Sequence, residues 1–217
     1  EAMGSVAVGD STDLQELSKR IESSRALLAG PGLGKSAQSK VALKRLLERA
    51  VAPAVLDADA LNLCAEHDDL RQELLRIAQG PGAVLTPHPA EASRLLGEGV
   101  DSLLADPIRA VRELSSRFQA VAVFKTATPV VASPDGRVAI GTAGHSGMAV
   151  GGSGDALAGA VVARLAEGVA PFEATCQAVR AHARAGDIAG ERGHRGMSVT
   201  DLVAMSPARA WARTAWH

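Results

Sequence analysis

The chain reads as an α/β protein, a three-layer α/β/α sandwich around a mostly parallel central sheet. Three observations predict this. Short apolar runs alternate with stretches of helical periodicity; each run is continuously apolar rather than alternating with polar residues; and the glycine-, proline- and acid-rich turns fall where the runs end. A strand buried on both faces needs helices on both sides, and strand–helix alternation makes parallel crossover units. In such sheets, ligands bind beyond the carboxyl ends of the strands.

The elements follow in order. Arg25 to Ala29 (RALLA) is a buried strand closed by the turn Gly30-Pro31-Gly32-Leu33-Gly34. Ser36 to Ala50 carries Val41, Leu43, Leu46 and Leu47 at helical spacing. Ala54-Val55-Leu56-Asp57 is a second strand, with one helical stretch expected from there to about Ala78. Ala83-Val84-Leu85-Thr86 is a third strand, ended by Pro87-His88-Pro89 before a helix over Ala90 to Leu96. Asp106-Pro107, as N-cap and first helical residue, starts a helix to about Phe118. Ala120 to Phe124 is a fourth strand. Pro129 to Ala132 and Arg137 to Ile140 form a hairpin around Ser133-Pro134-Asp135-Gly136. Helices are expected over Gly154 to Glu167, Pro171 to Ala189, and after Ser198-Val199-Thr200-Asp201, a capping-box pattern.

Composition narrows the function. The 217 residues suffice for a single domain, 1–217, with a substantial core. A net charge of −1 gives no broad basic face for nucleic acid or anionic lipid. Three Phe, two Trp and no Tyr make no platform for stacking single-stranded bases. No apolar run approaches the ~20 residues that span a bilayer, and no signal peptide is seen, so a cytoplasmic protein is expected. Cys64 and Cys176 have no metal-ligand spacing and read as small core residues.

Chemistry concentrates in Gly144-His145-Ser146-Gly147-Met148-Ala149-Val150-Gly151-Gly152-Ser153-Gly154-Asp155, five glycines in twelve positions leading into a helix. Glycines let successive amides turn toward one point, and the helix start adds about half a positive charge. The result is an anion-binding nest. Asp155 is out of place in a loop that only binds phosphate. It fits a base that takes the proton from an attacking hydroxyl while the amides hold the transferring phosphoryl group. A plain helix-start acid is the bland alternative.

A rival phosphate loop, Ala29 to Ser36 (AGPGLGKS), fits a loose Walker pattern, with Val55-Leu56-Asp57 as its acidic strand. Ala29 stands where the stricter form needs Gly, and Pro31 removes an amide from the cradle. A P-loop NTPase stays an alternative.

In this order, Gly30-Pro31-Gly32-Leu33-Gly34, Asp57-Ala58-Asp59-Ala60-Leu61, Thr86-Pro87-His88-Pro89-Ala90-Glu91, Lys125 to Thr128, and Gly147 to Asp155 resemble the ADP/ATP-dependent NAD(P)H-hydrate dehydratases of the ribokinase-like superfamily. The resemblance covers essentially the whole chain. It implies that hydrated NADH or NADPH is phosphorylated on its ring hydroxyl by ADP or ATP with Mg²⁺, and that the ring nitrogen then expels phosphate. Asp155 is the implied base. Gly34, His88, Glu91 and Arg94 would line the hydrate site, with Asp59 close by. Lys125, Thr126, Ala127, Thr128 and Pro129, together with His145, Ser146, Gly147, Met148, Ala149, Val150, Gly151, Gly152, Ser153 and Gly154, would hold the nucleotide. No metal-ligating protein residue is assigned. The adenine nucleotide and the hydrate are the implied partners, and relatives imply a homotetramer.

Alternatives stand beside several of these. Glu91 and Arg94 also read as a surface ion pair, Lys125 as a solvated strand end, Asp57 and Asp59 as helix caps, and His182 and Asp187 as structural residues. Thr126 stands where the family usually has Gly. The family domain begins with further strands and helices that contribute to the hydrate pocket, and the chain from Glu1 reads as starting after them. Two functional alternatives remain: a small-molecule kinase that stops at the phosphate ester, and an inactive nucleotide-binding fragment.

Overall fold

The computed structural model describes residues 14–191 and 197–204. Six strands form one sheet: β1 Leu27–Ala29, β2 Ala54–Leu56, β3 Ala83–Leu85, β4 Val121–Phe124, β5 Val130–Ala132 and β6 Val138–Ile140. Their spatial order is their chain order; β1 to β4 pair in parallel, and the β4–β5 and β5–β6 pairs are antiparallel. A monotonic order with crossovers of one hand places every connecting helix on the same face.

That face carries α1 Leu14–Ser23, α2 Ala37–Arg49, α3 Ala58–Glu66, α4 Asp68–Gln79, α5 Pro89–Leu96, α6 Val100–Ala105 and α7 Pro107–Phe118. Their apolar residues share one cluster with Ala54, Leu56, Ala83, Leu85, Ala122 and Phe124 of the strands. The alternate strand residues Val55, Val84, Val121, Val123 and Val131 turn to the other face. There they meet α8 Ser153–Ala166 and α9 Pro171–Glu191. Each of β1 to β5 is apolar at every position because it feeds two cores, whereas the edge strand β6 leaves Ile140 exposed. A fully buried leucine such as Leu43, Leu70 or Leu74 contributes roughly 2 kcal/mol through the water it excludes.

Several sequence expectations hold in detail. Asp106 Oδ1 accepts from Arg109 N at 3.0 Å, with Pro107 in the first turn. The hairpin turn closes through Gly136 N to Ser133 O at 2.9 Å. Ser198 and Asp201 exchange bonds in the reciprocal manner of a capping box, at 2.8 and 3.3 Å, before α10 Val199–Ala204.

Three helical regions differ from expectation. The stretch from Asp57 to Ala78 is two helices, broken at His67, whose backbone is extended; Asp68 and Asp69 then favour a new helix start. The six-residue α6 was not expected, since it buries only Leu103 and leaves little periodicity to read. Leu17 and Ile21, four apart, pin the unexpected α1 to the core.

Candidate active site

Asp57 stands at the carboxyl end of β2 and is 1% exposed. Its backbone is clamped: Asp57 N donates to Ala29 O at 3.0 Å, and Gly30 lies so close that a Cβ there would sit 1.7 Å from Asp57 O. Gly30 has φ of +130°, so only glycine meets both demands. The next residue, Ala58, is held at φ +46°, an uncommon conformation for a side-chain-bearing residue. Asp57 occupies the N-cap position of α3 but its side chain caps nothing. Asp59, in the first turn of α3, accepts from Gly34 N at 2.9 Å and so fixes the GPGLG turn. The expected nearness of Asp59 and Gly34 is therefore a direct bond.

At the end of β3, His88 is the N-cap of α5. His88 Nδ1 accepts from Ala90 N at 3.1 Å, while Glu91 Oε2 accepts from His88 N at 2.9 Å. The His88 ring is half exposed, whereas Glu91 is buried beneath it, with Oε1 3.1 Å from Nε2. The alternative of a Glu91–Arg94 surface pair is corrected here. Glu91 serves His88, and Arg94 donates to Asn62 Oδ1 on α3 at 2.9 Å. Helical spacing alone could not show this, because the partners lie on other elements or at the cap.

At the end of β4, Lys125 is no solvated strand end. Its Nζ lies 2.6 Å from Asp57 Oδ1, and its side chain is 17% exposed. Thr126 keeps a negative φ, and its hydroxyl closes the turn onto Thr128 O at 2.6 Å. Ala127 and Thr128 are exposed. Pro129 O accepts from Gly141 N at 2.8 Å, which ties the turn to the strand β6 just before the glycine loop.

The glycine loop crosses from β6 to α8 and rests on one face of α9. His182 Nε2 lies 3.1 Å from Ser153 Oγ, and Asp187 Oδ1 accepts from Gly144 N at 3.2 Å. A Cβ on Gly186 would sit 2.1 Å from Met148 Sδ, and one on Gly190 would sit 2.7 Å from His145 Cδ2. His145 Nδ1 in turn accepts from Gly147 N at 3.0 Å, at the start of the 3₁₀ turn Ser146–Met148. Burial, reinforced by the Lys125 charge, pulls the His182 imidazole down to about 4 from its ordinary 6.5. His182 is thus neutral near pH 7 and can share a hydrogen bond with Ser153. His182 and Asp187 support the loop rather than only α9, which their position on a late helix did not reveal. The signal available was the spacing of His182, Gly186 and Gly190 at every fourth residue of one helix.

At the start of α8, Gly152 has φ +84° and provides no side-chain cap. Among the described residues, the amides of Gly151, Gly152, Gly154 and Asp155 have no acceptor. Lys125 Nζ lies against the same turn, 3.0 Å from where a Cβ of Gly154 would stand. Asp155 is exposed, and among the described residues nothing bonds or pairs with its carboxylate. Open amides, an ammonium and an uncommitted carboxylate therefore meet on one helix turn. This arrangement can hold an anion and, beside it, accept a proton.

Among the described residues, no three His, Cys, Asp or Glu side chains converge to cage a cation. Mg²⁺ keeps several waters and binds through one or two carboxylates plus phosphate oxygens. A nucleotide's phosphate oxygens at the open amides would supply most of that donor set, with waters completing it, so the site fits Mg²⁺ without taking the Asp155 carboxylate as a ligand. Lys35 of the rival phosphate loop turns to Glu66 Oε1 at 3.4 Å on the surface, and the Asp57 that a P-loop would need is taken by Lys125. A cavity of about 510 Å³ between α4, α5 and α7, lined by Arg71, Leu75, Arg117 and Phe118 among others, shares no residue with this site.

The family model of the NAD(P)H-hydrate dehydratases matches residues 2–208. The chain is 39% identical over 190 residues to the bifunctional NAD(P)H-hydrate repair enzyme of Escherichia coli, covering 87% of this chain and 35% of that protein. It is also 39% identical to the ADP-dependent (S)-NAD(P)H-hydrate dehydratase of Neisseria meningitidis, over 87% of this chain and 62% of the relative. The chain thus spans about a third to three fifths of the length of these relatives. Among solved structures, the ADP/ATP-dependent NAD(P)H-hydrate dehydratase of Bacillus subtilis, crystallised with ATP and Mg²⁺, superposes with a TM-score of 0.73 at 26% identity, covering 89% of this chain and 68% of that one.

Proposed function

The chain belongs to the NAD(P)H-hydrate dehydratase family, and from that premise we propose that it carries the ADP-dependent dehydration of NADH and NADPH hydrates. The observation that carries this is the first turn of α8, where, among the described residues, the amides of Gly151, Gly152 and Gly154 have no acceptor and stand next to Asp155, whose carboxylate has no partner. The hydrate's ring hydroxyl attacks the terminal phosphorus of ADP, its proton passes to Asp155, and AMP leaves. The ring nitrogen's lone pair then pushes out phosphate with the C–O bonding pair. Loss of a proton from the neighbouring ring carbon restores the dihydronicotinamide.

In this scheme the amides of Gly151, Gly152 and Gly154 and the Lys125 ammonium hold the transferring phosphoryl group as its charge shifts. Mg²⁺, when bound, neutralises charge on the nucleotide's phosphate oxygens. Residues 125–129 and 145–150 border the nucleotide, while Gly34, Asp59, His88, Glu91 and Arg94 form the wall toward the hydrate. The resemblance further implies a cytoplasmic homo-oligomer with these two small molecules as its partners.

The test is to incubate the protein with NADH hydrate, Mg²⁺ and ADP or ATP, and to follow the return of dihydronicotinamide absorbance. Return is expected with ADP. Consumption of ADP with a stable phosphate ester and no return would instead identify a kinase. Asp155→Asn is expected to lower turnover by about a thousandfold or more, the scale of removing a general base, while leaving ADP affinity within about twofold. Undiminished turnover in that variant would remove Asp155 from its role.

A further inference from the structure

We propose that Asp57 is a positioning residue of the nucleotide site: its buried carboxylate holds the Lys125 ammonium under the first turn of α8, where a phosphate would sit. This rests on the reading of that turn as the phosphoryl-binding site. Three facts carry it. The Asp57 carboxylate is 1% exposed, and among the described residues the charge bonded to it is Lys125 Nζ, at 2.6 Å. The same Nζ stands 3.0 Å from a Cβ position on Gly154, and Asp57 Oδ2 stands 3.9 Å from it. The backbone of Asp57 cannot drift, because Gly30 presses on its carbonyl and Ala60 N donates to that carbonyl at 3.1 Å.

The chemistry follows from the inventory of an ammonium. Lys125 has three N–H donors, of which Asp57 Oδ1 takes one. The remaining two are turned by that bond toward whatever occupies the helix start. A lysine on a flexible four-carbon stem is otherwise a poorly aimed charge. A buried ion pair is weak evidence of stabilisation, since hydrophobic replacements often do as well. The position of this pair beside open amides gives it a use that an apolar pair could not supply. Gly154 belongs to the same device, because any side chain there would displace the ammonium.

A double-mutant cycle read by equilibrium ADP titration in Mg²⁺ tests the assignment, with thermal melts run on each variant. Wild type, Asp57→Asn, Lys125→Met and the double variant are compared. Each single change is expected to weaken ADP binding by about tenfold, the scale of one charge-assisted hydrogen bond. The double variant is expected to bind no more weakly than Lys125→Met alone, because Asp57 acts through Lys125. Wild-type affinity in Asp57→Asn, or losses that multiply in the double variant, would overturn the proposal. Should Asp57→Asn not fold, the double variant against Lys125→Met decides alone: equal affinity upholds the assignment and further weakening overturns it. A wild-type protein that binds no ADP sinks the phosphoryl-site reading itself, and this proposal with it.

Discussion

Lys35 follows the turn after β1 and Lys125 directly follows β4, and their neighbours give them different tasks. Lys35 Nζ is 3.4 Å from Glu66 Oε1, with both side chains about half exposed. Such surface pairs contribute little, because water screens them and two long side chains lose freedom. Lys125 is largely buried and tied to Asp57 at 2.6 Å. Lys35→Ala is therefore expected to change ADP affinity and turnover by less than about twofold. A steady-state assay showing a loss of a hundredfold would restore the P-loop alternative. Asp155 differs from both lysines in that none of the described residues pairs with its carboxylate, which is what a base needs if it is to meet an incoming hydroxyl.

At the scale of elements, α9 is the template on which the glycine loop is laid. His182, Gly186 and Gly190 lie at successive turns of one face and receive Ser153, Met148 and His145. Gly190→Ala sets two effects against each other. In a helix interior, alanine is favoured over glycine by roughly 0.5–1 kcal/mol, and Gly190, one residue from the described end of α9, draws at most the low end of that gain. Here the new Cβ would meet His145 Cδ2 at 2.7 Å, and the ring cannot slide freely while Nδ1 holds Gly147 N. The loop must yield, so the expected outcome is ADP binding weakened about tenfold with a melting temperature unchanged or lower. ADP affinity equal to wild type would show that the loop tolerates displacement. This template was not legible in the sequence, because side chains that meet across elements leave no local pattern. The glycine loop, GPGLG and TPHPAE were legible, since each is a local device whose residue types state what its backbone does. The break at His67 was missed because apolar spacing continues through it, although Asp68 and Asp69 mark the new start.

Across the whole molecule, the three layers were legible because each parallel strand is apolar on both sides, and Leu56 and Val55 do turn to opposite cores. Meeting of the strand ends was implied by that topology, whereas the Asp57–Lys125 pairing, 68 residues apart in the chain, was not. The same central position couples the site to overall stability through His182. Burial first, and the Lys125 charge second, depress its imidazole from 6.5 to about 4. Between those values the unfolded chain binds more protons than the folded one, so stability rises with pH across that window. This contribution is full above about pH 6.5, declines as pH falls, and is lost below about 4, on the order of 3 kcal/mol in all. His182→Gln removes the titrating group. Its urea midpoint is therefore expected to fall less than the wild-type midpoint between pH 7 and about pH 4.5. Equal slopes in the two proteins would show that the imidazole is solvated or protonated in the folded state. In that case it could not stand as the neutral partner of Ser153 next to a lysine.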